Sequence, residues 1–192
     1  MRGRGRTAVV VNAGRAAPTA GDAAGGLARF DALERGEWWW RQPRWSKRAW
    51  TLEAGGRAVA ELARESIFSR TSRIRFDGLD LEVHPSFTGN AELRAPGGDA
   101  PLARFRSRWT GDGWIEAPAG DRLELAGKGL WRRTHELRTE DQLVLARFER
   151  HHRFARLEMR VEFEDAARRR SDLRELIALS SALLFAPKRH SH

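Results

Sequence analysis

The sequence predicts a mainly β protein: a closed antiparallel barrel of about 12 strands, built from three repeats of about 43 residues around one buried C-terminal hydrophobic helix. Three observations carry that fold class. From Trp50 to Phe163, short runs of alternating polarity are divided by turn signals roughly every 8–12 residues. Three of those runs, "VAELARE", "LARFRSR" and "LARFERH", align on Ala60, Ala103 and Ala146. The segment from Leu173 to Ala186 is apolar on every side of a helical axis, which requires burial.

Residues 1–36 are rich in Ala, Gly and Arg and have no hydrophobic period. Their apolar run, Thr7 to Val11, is shorter than the roughly 7–15 residues of a secretory signal. This leader is expected to be disordered, basic and dispensable for folding. Residues 37–49 form a Trp/Arg-rich segment ahead of the barrel, which is expected to span 50–187 before a tail at 188–192.

Within the barrel, "RLEMRVEF" sets the pattern. Leu157, Met159, Val161 and Phe163 share one face, and Arg156, Glu158, Arg160 and Glu162 share the other. Each aligned run has a partner strand upstream, "WTLEA", "AELRA" or "HELRT", so each unit is expected to supply four strands. A barrel of about 12 strands is too wide to be filled by its own side chains, since roughly eight strands already reach that limit. The helix at 172–186 is the expected plug. Ser171 or Asp172 starts it, Glu175 stands near the capping-box position, and Pro187 stops it. Leu176, Leu179 and Leu183 should be deeply buried. Ser180 and Ser181 should bond back to helix carbonyls. The uncharged stretch from Leu176 to Ala186 falls short of the roughly 17–25 residues needed to span a bilayer.

The "LARF" strands at 102–105 and 145–148, their partner at 59–65 and the helix "ELIALSSALLFA" together resemble the tubby C-terminal-like superfamily. That group includes tubby-like proteins, phospholipid scramblases, LURP-one-related proteins and small bacterial members. The resemblance covers about Trp45 to Pro187. It implies a closed 12-stranded barrel around a central helix, and a lipid-related role. The cysteine-rich and acidic calcium segments of scramblases have no counterpart here, so calcium-dependent scrambling is not implied. No phosphoinositide-site residue carries over.

The composition narrows the function. With no cysteine, disulfides, thiolate metal sites and a cysteine nucleophile are excluded. The net charge is +9, but most of the excess lies before Trp50, which argues against nucleic acid as the general partner. Carboxylates alternate with arginines along strands, as on an ion-paired outer face. His151 and His152 point to opposite faces of a strand. His190 and His192 form a short terminal pair that could hold a metal only loosely. His84 and His135 have no evident carboxylate partner, and "GKG" at 127–129 lacks the spacing of a phosphate loop. No enzyme activity, cofactor or metal is therefore expected.

The candidate functional segment is "WWWRQPRWSKRAW". Trp38, Trp39, Trp40, Arg41, Arg44, Lys47 and Arg48 combine indoles, which favour the membrane–water interface, with cations that attract anionic headgroups. The competing readings are a run packed across the barrel mouth and a stacking surface for single-stranded nucleic acid. The expected function is non-enzymatic, reversible association with anionic phospholipid surfaces by a cytoplasmic, peripheral monomer. The alternatives are a scaffold for a protein partner or a single-stranded nucleic-acid binder.

Overall fold

A computed structural model describes residues 27–28, 30, 37–43, 48–64, 71–108, 112–129, 133–153 and 156–186. The strands run in chain order: β1 (Trp38–Arg41), β2 (Ala49–Ala54), β3 (Arg57–Arg64), β4 (Ser72–Phe76), β5 (Leu79–Pro85), β6 (Ala91–Arg94), β7 (Pro101–Ser107), β8 (Gly113–Glu116), β9 (Arg122–Lys128), β10 (Thr134–Thr139), β11 (Val144–Arg153) and β12 (Arg156–Phe163). Two helices follow, α1 (Asp165–Arg168) and α2 (Leu173–Phe185). Each strand pairs antiparallel with the next, and β1 closes the barrel against β12. No sheet edge is left exposed.

Period-two sequence produces this directly. In β4, Ser72, Ile74 and Phe76 face the core, and Arg73 and Arg75 face out. In β12, Met159 and Val161 are buried and Leu157 and Phe163 partly so, as their alternation predicts. The β2–β3 turn is Gly55-Gly56. Both residues have positive φ, 56° and 77°, which a type I′ hairpin turn requires. Register shifts interrupt β2–β3 between Leu52 and Glu53, β6–β7 between Leu93 and Arg94, and β10–β11 between Leu137 and Arg138. Before each shift a leucine faces an alanine: Ala60, Ala103 or Ala146.

Two boundaries move from the sequence reading. The barrel begins at Trp38 rather than residue 50. β1 supplies the twelfth strand, so the C-terminal third contributes three strands, β10 to β12, instead of four. The leader is also not wholly outside the core. Ala28 and Phe30 are buried, the Ala28 N–H donates to Ala58 O at 2.9 Å, and the Phe30 ring meets Trp38 and Phe76 edge-on. Residues 1–26, 29, 31–36 and 187–192 lie outside the described residues, so the expectations for the rest of the leader and for the tail do too.

α2 is buried along its length and packs against β4, β5, β6 and β7. Leu176 and Leu179 are fully buried as expected, but Leu183 is only partly covered. The capping box does not form. The Asp172 carboxylate turns away from the helix to Arg170, with two contacts of 2.8 Å, and to the Ala119 N–H at 3.3 Å. The buried hydroxyls of Ser180 and Ser181 have no hydrogen-bond partner, contrary to the expected back-bonding. The carbonyls of the preceding turn accept backbone N–H groups and keep a second lone pair, but neither hydroxyl reaches one. At the other end of α2, Arg64 donates to Phe185 O and Arg150 to Leu184 O. Burial lowers the pKa of both guanidiniums. Cations there complement the helix dipole and satisfy carbonyls the helix leaves open. No helix among the described residues is long and apolar enough to cross a membrane.

Candidate functional site

Alternation along β1 divides the tryptophan run. Trp38 and Trp40 face the core, 2% and 0% exposed. Trp38 stands edge-on to Phe163, and Trp40 edge-on to Phe185. Neither indole is available to a surface ligand on the outer wall, so of the three tryptophans among the candidate lipid contacts only Trp39 faces out. Its ring lies 5.4 Å from His151 and 5.9 Å from the Arg41 guanidinium, and its Nε1 donates to Glu37 at 3.3 Å. Arg41 is exposed and also pairs with Glu53 at 2.9 Å. Arg48 is exposed. Arg44 and Lys47 lie outside the described residues.

The antiparallel order sorts the connections between two ends. The segments 42–48, 65–71, 86–90, 108–112, 129–133 and 154–155 leave the strands at one end. The segments 55–56, 77–78, 95–100, 117–121 and 140–143 leave them at the other. Their sequences differ sharply. The second group holds Asp77, Asp99, Asp121, Glu140 and Asp141, with no Lys, Arg or aromatic residue. The first group holds Arg44, Lys47, Arg48, Arg70, Arg108, Arg132 and Arg133 against Glu65 and Asp112. It also has one aromatic residue in every connection: Trp45, Phe68, Phe87, Trp109, Trp131 and Phe154. Of these six, Phe87 alone is among the described residues, at the tip of a turn and 80% exposed. We call these the basic end and the acidic end.

The acidic end carries a cavity of about 520 Å³ between the barrel rim and the start of α2. Phe30, Trp38 and Phe163 supply its apolar wall, and Arg168, Arg170, Ser171 and Arg174 its polar one. Arg170 is held by Asp121, at 2.7 and 2.8 Å, as well as by Asp172. Those bonds raise the Arg170 pKa, and in return they hold the Asp121 carboxyl below its ordinary value.

Several carboxylates on the outer wall are paired. Glu136 contacts Lys128 at 2.9 Å, Arg138 at 2.5 Å and Arg147 at 3.4 Å. His84, for which no carboxylate was evident in sequence, has Glu82 at 3.2 Å. The two sit two residues apart on one face of β5, a spacing that could have indicated it. No group of three or more metal-ligating side chains occurs among the described residues. No family model, curated protein or solved structure matches this chain.

Proposed function

We propose that this chain is a non-enzymatic barrel domain that associates reversibly with anionic membrane lipids through its basic end. The observation that carries this reading is the division of the connections. Aromatic residues recur in every connection at the end where cations predominate, and in none at the other. Aromatic rings favour the headgroup region, and each nearby Lys or Arg adds about 1 kcal/mol of attraction to an anionic leaflet. The expected contacts are Arg44, Lys47 and Arg48 of the β1–β2 connection together with Phe87; Trp39 and Arg41 are a flanking patch on the wall.

We further propose the tubby-like architecture for this barrel: three units with α2 as a central plug. The three leucine–alanine pairs, each followed by a register shift, support the repeat. Burial around the axis of α2 and the stacking of Phe185 on Trp50 support the plug.

Co-sedimentation with vesicles of graded anionic lipid content, at two salt concentrations, tests the lipid reading. Binding should rise with anionic fraction and weaken in salt, because surface charge is screened within about 10 Å at 0.1 M. Replacing Arg44, Lys47 and Arg48 with Gln should abolish the salt-sensitive part. Replacing Phe87 with Ser should weaken the part that persists at high salt. Negligible binding to both anionic and neutral vesicles at low salt would overturn the proposal in favour of a protein-interaction scaffold.

A further inference from the structure

We propose that the cavity at the acidic end binds a small anionic amphiphile, a carboxylate or phosphate head on an apolar body. Four features converge there. Arg168 and Arg174 line the cavity and have no acidic partner among the described residues, whereas Arg170 between them is occupied by Asp121 and Asp172. The diversion of Asp172 leaves the N-terminus of α2 without a side-chain cap, and Leu173 and Arg174, its first two residues, line the same cavity. Uncapped N–H groups and the positive end of a 13-residue helix favour an anion. Ser171 adds a hydroxyl at the rim.

The opposite wall calls for apolar matter. Phe30, Trp38 and Phe163 meet edge-to-face at 5.0 and 5.1 Å, and Trp38 is almost fully buried with an indole N–H that has no acceptor among the described residues. An inorganic anion would leave this wall bare. A neutral apolar molecule would leave both arginines and the helix terminus unmatched. An amphiphile satisfies both sides, and the volume lies in the range of small-molecule sites, roughly 300–1,000 Å³. The surrounding carboxylates favour a ligand whose anionic head reaches the two arginines rather than one resting on the rim.

This site does not depend on membrane association at the other end, so each reading can fail alone. The experiment is calorimetric titration of the full chain with decanoate, decanol and inorganic phosphate, the first two below micellar concentrations. Decanoate should bind at least tenfold more tightly than either of the others. The double variant Arg168→Gln/Arg174→Gln, at half-buried positions with no ion pair to lose among the described residues, should remain folded. It should lose at least tenfold in decanoate affinity and leave decanol binding unchanged. Equal affinity for decanoate and decanol, tight binding of phosphate alone, undetectable decanoate binding, or an unaffected double variant would each overturn the proposal.

Discussion

Replacing Glu136 with Gln removes the charge at the centre of the most enclosed ion-pair cluster described on the outer wall. Its side chain is 3% exposed, under Lys128, Arg138 and Arg147. Lys128 and Arg147 are substantially exposed, so their individual contributions are small. Arg138 is mostly covered and donates from Nε at 2.8 Å and Nη2 at 2.5 Å. A hydrogen bond to a charged group contributes about 1.5–3 kcal/mol, and breaking a buried pair costs about 3–5 kcal/mol. A loss of about 3 kcal/mol is therefore expected at neutral pH. With a urea m-value near 2 kcal/mol/M, the midpoint should fall by about 1.5 M. The pH dependence adds a second constraint. Burial pushes the Glu136 carboxyl up, but hydrogen bonds from Lys128 and Arg138 and their charges outweigh it, and the folded pKa lies below the ordinary value of 4.5. A depressed folded pKa contributes stability above the unfolded value, which is lost as pH falls through the folded one. The gap between wild type and Glu136→Gln should thus be constant from pH 7 to about 5 and narrow below about pH 4. A gap under 1 kcal/mol at pH 7, or one that stays constant to pH 3, would refute the reasoning.

Leu179→Ala should destabilise by about 2–5 kcal/mol in the same urea assay, and Leu183→Ala by clearly less, because Leu183 is only partly covered. Equal losses at the two positions would contradict the burial of α2. Phe30→Ala should lower the melting temperature, with a cost of about 3 kcal/mol for losing a buried ring; an unchanged melting temperature would return Phe30 to the dispensable leader.

The strands were legible because their faces differ in kind. "RIRF" and "RLEMRVEF" announce an arginine or glutamate side and an aliphatic side. β1 was not legible as a strand for the opposite reason. Three consecutive tryptophans hide a period of two, although their environments differ as much as those of any alternating pair. Phe30 carried no signal, being one aromatic in a run with no period. The capping box failed through a competitor two residues away: Arg170 draws in Asp172 and is itself held by Asp121, 49 positions upstream of it. The cavity depends on that same clamp and was equally out of reach. The two ends were half-readable. An aromatic residue recurs in alternate turns, but the alternation has no meaning until the strands are counted from Trp38.

Closure of the barrel by its first and last strands constrains how the chain folds. Trp38 pairs with Val161, and Arg160 bridges to Glu37, 123 positions away. A ribosome would have released nearly the whole barrel before β1 met its second neighbour. Until then the strands can form only an open sheet, with β1 and β12 as its edges. Contacts this distant in sequence slow folding, because loop closure must precede the interactions that reward it. An incomplete sheet with an apolar face is also a template for pairing with another copy. β1, at four residues one of the shortest strands in the barrel, is the strand whose late second pairing removes both edges at once.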